Sequence, residues 1–109
     1  MNTQFKKGVL DLCVLSILDK DDCYGYEIVN RITDFMEISE GSIYPLLRRF
    51  KKDKFVTSYL KESVEGPPRK YYTLTAEGKD AYKNLLQEWM DFQESIQQLV
   101  KSNGKELEG

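Results

Sequence analysis

Near the end of the chain, Tyr82, Leu85, Trp89, Phe92, Ile96 and Leu99 recur at spacings of 3, 4, 3, 4 and 3. This is an apolar heptad seam kept up for more than two repeats. It predicts one long helix over residues 76–101, with Thr75 as its N-cap. At 1.5 Å per residue such a helix reaches about 39 Å. That overhangs whatever residues 1–75 can build, so the seam is expected to pack on a second copy of the chain in a twofold dimer. The alternative is a seam folded back on its own domain. Residues 102–109 are polar and are expected to form a disordered tail.

The other elements follow from apolar spacing. Residues 9–18 are apolar at eight of ten positions, which predicts a helix from about 6 to 19 with apolar residues on all sides. Such a helix needs cover on more than one face. After a polar break at Asp19–Cys23, Ile28, Ile32 and Phe35 form a stripe with Val29 beside it, a short helix over Tyr24–Phe35. Glu37–Gly41 reads as a turn. Ile43, Leu46, Leu47 and Phe50 then fall at i, i+3, i+4 and i+7, a third helix over residues 42–53. Ser42 is its expected N-cap, with Pro45 in the first turn; a start at Ser39 would require Pro45 to kink the helix. The segments Phe55–Leu60 and Lys70–Thr75 are rich in β-branched and aromatic residues and read as two short strands. The loop between them carries Gly66-Pro67-Pro68, which stiffens its exit into Arg69 and Lys70. The expected fold is therefore mostly α with a small β-hairpin. It is a winged helix-turn-helix over residues 1–75, followed by a C-terminal dimerisation helix over 76–101.

The net charge of −2 is unevenly distributed. Residues 1–47 carry net −4 and residues 71–109 net −3, whereas residues 48–70 hold 8 Lys and Arg against 3 Asp and Glu, net +5. An acidic chain with one compact basic segment fits a polyanionic partner at one surface. The side of the third helix opposite its apolar stripe carries Arg48 and Lys52. Tyr44 and Lys51 flank them on one edge and Arg49 on the other. Such a face suits the major groove of double-stranded DNA, with the hairpin as a wing on the backbone or minor groove. Ser42, Tyr44 and Arg48 are the candidates to read or orient on the major groove. Lys52, Lys61, Arg69 and Lys70 are the candidates to neutralise phosphates. The plainer reading of each is a solvated charged face. A second reading of the whole is a dimeric ligand-sensing or interaction module whose winged helix contacts protein.

Several chemistries are excluded or unsupported. With no histidine, the chain has no Ser-His or Cys-His pair and no histidine metal site. Its two cysteines are too few for a structural zinc site or a disulfide scaffold. There is no Gly-rich phosphate loop, and no spacing selects a carboxylate pair, so no enzyme activity, metal or cofactor is expected. No run of 18 apolar residues occurs, so no membrane partner is expected, and the chain reads as cytoplasmic. Cys13, within the apolar run, is expected in the core. Cys23 is expected in a polar turn beside acidic residues that raise its pKa, which argues against a redox sensor.

Three stretches carry a resemblance. They are Tyr24-Gly25-Tyr26-Glu27-Ile28, then Gly41-Ser42-Ile43-Tyr44-Pro45-Leu46-Leu47-Arg48-Arg49, then Gly66-Pro67-Pro68-Arg69-Lys70-Tyr71-Tyr72-Thr73-Leu74-Thr75 followed by Gly78. In this order and spacing the chain resembles the PadR family of bacterial transcription regulators, over about residues 6–100, and its length resembles the short subfamily. The resemblance implies a homodimeric winged-helix repressor that binds a palindromic operator and is released by a small ligand. It also implies that Trp89 and its twofold mate line a pocket between subunits for a flat aromatic molecule, drug-like or phenolic. Leu12, Leu15, Leu86 and Gln93 are the candidates to complete its walls. The plainer reading of Trp89 is a large interface anchor. Three departures stand out. Asp21 and Asp22 occupy positions that are often Gly-Pro in the family. Lys51 stands where glutamate is usual, and Lys54 where a glycine usually ends the helix. If that last position needs φ > 0, Lys54 carries strain of about 1 kcal/mol.

Overall fold

The computed structural model describes residues 3–104, with side chains from Gly8 onward. In chain order the elements are α1 (Thr3–Lys20), β1 (Cys23–Tyr24), α2 (Gly25–Thr33), α3 (Glu40–Lys52), β2 (Val56–Lys61), β3 (Arg69–Leu74) and α4 (Ala76–Ser102). Residues 105–109 of the expected tail lie outside the described residues, while Ser102 belongs to α4. The strands form one antiparallel sheet in the order β1-β3-β2. The fold is the winged helix expected from the sequence, with a long C-terminal helix that stretches the molecule to 58 × 27 × 23 Å.

Apolar side chains of α1, α2 and α3 meet in one core that includes Val14, Leu15, Ile28, Ile43, Leu47 and Phe50. Each such side chain contributes about 1.5–3 kcal/mol by leaving water. Val56 closes the core from the sheet, and Tyr72, Leu74, Tyr82 and Leu85 pack against its edge. Arg49 donates to Asp11 at 2.7 Å, a part-buried ion pair that ties α3 to α1.

The structure corrects three local expectations. The third helix starts at Glu40 and its N-cap residue is Ser39, not Ser42. Pro45 therefore lies inside the helix, where it has no N–H to give to the Gly41 carbonyl. The first turn is closed instead by Ser42 N–H to Ser39 C=O at 3.0 Å, and the two hydroxyls face each other at 3.2 Å. Cys23 is not in a polar turn. It is fully buried in β1, a strand the sequence did not predict. Burial, and after it the Glu27 carboxylate, pushes its thiol up to about 11. The second helix also stops at Thr33, so Phe35 leaves its stripe and stands exposed.

The end of α3 is a Schellman turn. Lys54 N–H meets Lys51 C=O at 3.1 Å and Phe55 N–H meets Phe50 C=O at 2.9 Å, with the Phe50 and Phe55 rings 5.9 Å apart. Lys54 holds φ at 65°, the left-handed region in which glycine is at ease. Thr75 then joins this turn to α4. Its hydroxyl donates to the Lys54 carbonyl at 2.7 Å and accepts from Gly78 N–H at 2.9 Å, and its own N–H reaches the Phe55 carbonyl at 3.0 Å. Gly78 sits so close to the Phe55 carbonyl that an added Cβ would overlap it.

Two stability changes of opposite sign follow. Lys54→Gly should raise the unfolding free energy by about 0.5–1 kcal/mol, because relief of the left-handed strain exceeds the added unfolded-chain entropy. Gly78→Ala should lower it by about 1–3 kcal/mol, because the backbone at Phe55 must move. Urea midpoints at constant slope measure both. An unchanged midpoint for Gly78→Ala would contradict the close approach.

Candidate nucleic-acid interface

On α3 the core stripe Ile43, Leu46, Leu47 and Phe50 is buried, and Tyr44, Arg48 and Lys52 stand exposed on the other side. Positions 44, 48 and 52 are one helical turn apart and drift slowly around the axis, so they form one continuous outward stripe. Ser42 lies on the far edge beside Arg49, away from Tyr44, and so does not share that stripe. Nothing but the Ser39 hydroxyl, 3.9 Å away, would meet a Cβ at Gly41, so the first turn of α3 is slim and open.

The Tyr44 ring lies close against Gly25. A Cβ at position 25 would lie 2.5 Å from that ring, so any residue but glycine there would push the tyrosine away from the start of α2. This gives the Tyr24-Gly25-Tyr26 motif a physical role. Beside this contact is a cleft of about 420 Å³ lined by Tyr24, Gly25, Tyr26, Tyr44, Arg48, Arg69, Lys70 and Tyr72. No carboxylate lines it. The Arg69 guanidinium lies 4.6 Å from the Tyr24 ring centre, in cation–π range. Burial raises the Tyr72 phenol, the neighbouring Tyr44 adds to the rise, and Arg48 opposes it.

Four of the seven expected DNA-facing residues, Tyr44, Arg48, Arg69 and Lys70, therefore meet around one cleft. Lys52 extends the α3 stripe beyond it. Lys61 lies over the Tyr71 ring at 5.1 Å on the wing, and Ser42 stands apart. Two cations of the basic segment are held by neighbours in the fold: Arg49 by Asp11, and Lys51 by the Ser58 hydroxyl at 2.8 Å. Sequence spacing alone missed Tyr24, Tyr26 and Tyr72. Their signal was the aromatic repetition in the first and third motifs.

A second concavity, about 380 Å³, lies between α1 and α4, lined by Gly8, Val9, Leu12, Leu85, Glu88, Trp89 and Phe92. Of the five expected ligand residues it contains Leu12 and Trp89. Leu15 is fully buried in the core and cannot line it. Gln93 is exposed, Leu86 is half-buried, and neither lines the groove. Along the heptad seam, Tyr82 and Leu85 pack against the core, whereas Phe92, Ile96 and Leu99 are 47%, 45% and 61% exposed. The seam thus divides: its first part covers its own domain and its last part reaches beyond it. Among the described residues no cluster of metal-ligating side chains occurs, and no helix is long and apolar enough to cross a membrane.

Known proteins share this fold. The chain is similar to a PadR-like transcriptional regulator from Bacillus cereus, at 39% identity and a TM-score of 0.80, over 90% of this chain and 97% of the other. It is also similar to the Bacillus subtilis PadR crystallised with operator DNA, at 28% identity and a TM-score of 0.66, over 72% of this chain and 45% of the other. The negative transcriptional regulator PadR of Bacillus subtilis matches at 28% identity over 85% of this chain, which spans about half (51%) of that regulator's length. Residues 14–84 match the transcriptional regulator PadR-like family, a family of regulators and not of enzymes, and the chain belongs to it.

Proposed function

We propose that this chain is a homodimeric, sequence-specific DNA-binding regulator that acts as a repressor. Helix α3 enters the major groove and the β2–β3 wing meets the neighbouring backbone or minor groove. The observation that carries this reading is the cleft between α3 and the wing, where Arg48, Arg69 and Lys70 converge with no carboxylate in its walls. The slim first turn of α3 lets its backbone approach base edges. Arg48 offers a bidentate donor to a base, and Tyr44 a hydroxyl on a rigid ring. Lys52, Lys61, Arg69 and Lys70 neutralise phosphates.

The dimer forms through the exposed end of α4, with Phe92, Ile96 and Leu99 of one subunit against the other. Two recognition helices then meet half-sites of a palindromic operator about 34–36 Å apart. The groove beside Trp89 admits a planar aromatic molecule. Such a molecule shifts the spacing of the helices only by the difference in its affinity for the two arrangements.

Gel-shift titration of the protein on its own upstream DNA, at two salt concentrations and against scrambled duplex, tests the reading. Binding is expected to be sequence-preferring and to weaken steeply with salt. Arg48→Ala is expected to cost about 1–3 kcal/mol and to narrow the gap between specific and scrambled DNA. Lys70→Ala should weaken both equally and reduce the salt slope by about 1. Normal affinity and slope in both variants would remove this face as the DNA-binding surface. For the dimer, Ile96→Lys combined with Leu99→Lys should give monomers in sedimentation, and a dimer that survives would place the interface elsewhere.

A further inference from the structure

The register of the small sheet places three tyrosines in one row. Tyr71 of β3 is paired with Tyr24 of β1 on one side and with Tyr59 of β2 on the other. Directly paired residues share a face of the sheet, so the three rings lie side by side. Tyr59 stacks on Tyr71 with centres 5.7 Å apart and planes 16° from parallel, and Tyr24 meets Tyr71 edge-on at 5.4 Å. Two pairs nearer the wing tip, Lys61 pairs with Arg69. Two residues along each strand returns to the same face, so both cations stand on the tyrosine face. Each rests on a ring of the row, Lys61 on Tyr71 at 5.1 Å and Arg69 on Tyr24 at 4.6 Å.

The far end of the row is tied down. The Tyr59 hydroxyl donates to Asp22 Oδ2 at 2.7 Å. Asp22 immediately precedes β1, and Tyr59 is on β2, with β3 between them. This bond therefore spans the whole sheet. It matters because β1 has only two residues, a weak hold by itself. Beyond this row every residue of the wing from Leu60 to Lys70 is exposed or nearly so, with no core contact to fix its direction.

We propose that Asp22 and Tyr59 form a latch that, through the tyrosine row, holds the wing at a fixed angle to α3 and so positions Lys61 and Arg69. They are positioning residues and need not touch DNA themselves. Their consequence for binding rests on the DNA-binding reading above, but the latch itself is a property of the free protein.

Tyr59→Phe removes the hydroxyl and keeps the stacked ring. Amide hydrogen exchange of the free protein, with wild type as reference, reads the latch directly. The variant is expected to exchange roughly threefold to tenfold faster at amides 59–61 and 69–71, with the α1–α3 core amides unchanged. Asp22→Ala should reproduce this. Asp22→Asn, which retains an acceptor oxygen, should restore slow exchange. Titration onto generic duplex DNA across a salt series supplies the second arm. Tyr59→Phe should bind more weakly by a similar factor and with a salt slope lower by about 1, because loosely held cations displace fewer counterions. Wild-type exchange in Tyr59→Phe would overturn the latch. So would weaker binding at wild-type exchange, since the hydroxyl would then act on DNA itself. Failure of the wild-type protein to bind any duplex would overturn the DNA-binding reading, while the exchange arm would still decide the latch.

Discussion

The geometry of the proposed DNA-facing surface depends on one small knot of main-chain carbonyls at Lys54 and Phe55. Thr75 reaches both, by its hydroxyl to Lys54 at 2.7 Å and by its N–H to Phe55 at 3.0 Å. The same hydroxyl caps α4 through Gly78 N–H. Four pieces therefore share one point: the end of α3, the two roots of the wing and the start of α4. The roots of the wing, the end of α3 and the start of α4 are joined there by hydrogen bonds with no long side chain in series, whereas the body of the wing lies beyond these bonds. That explains why a lysine is tolerated at φ 65° despite a strain of order 1 kcal/mol. The turn satisfies two carbonyls of α3 and brings Phe55 onto Phe50, and these gains together outweigh the strain.

The distribution of charge follows the same economy of position. A basic segment of net +5 reads as one surface in the sequence, yet its members have different tasks. Arg49 lies over the Phe50 ring and bonds Asp11 at the edge of the core. Removing either partner would leave a part-buried charge unmatched, which costs more than any exposed ion pair returns. Lys51 braces the wing root through Ser58. What remains outward is Arg48 and Lys52 on α3, Lys54 at its end, and Lys61, Arg69 and Lys70 on the wing. The acidic remainder of the chain does not dilute this patch, because no Asp or Glu side chain lines the cleft.

Much of this was legible in the residues. The stripe Ile43, Leu46, Leu47 and Phe50 gave the orientation of α3, since a clean helical period leaves only one face for the core. The motifs around Tyr24, Gly41 and Gly66 carried the family. Strand β1 was not legible, because two residues have no period and its pairing is with Tyr71 and Tyr72, far away in sequence. The start of α3 is ambiguous in the sequence because Ser39 and Ser42 are both good caps and Pro45 favours a first turn; the structure begins the helix at Glu40, after Ser39. The resemblance points to Leu15 for the groove beside Trp89, where the structure places Val9 instead; α1 is apolar on all sides, so its period does not say which side faces which neighbour.

That apolar helix links the two ends of the molecule. One side of α1 supplies Val14 and Leu15 to the core, and Asp11 anchors α3. Another side supplies Val9 and Leu12 to the groove whose opposite wall is Leu85, Trp89 and Phe92 of α4. A rigid-body change at the groove would therefore have a short route to the proposed DNA face. It runs through α1 to Asp11 and Arg49 on α3, and through α4 to Thr75 at the root of the wing. The first route ends on α3 and the second at the shared root of α3, the wing and α4. A molecule bound in the groove of the proposed dimer would not need to loosen either domain. In that proposed dimer, a small tilt of α4 against α1 at Leu85 would be carried along the length of α4 to the partner's recognition helix.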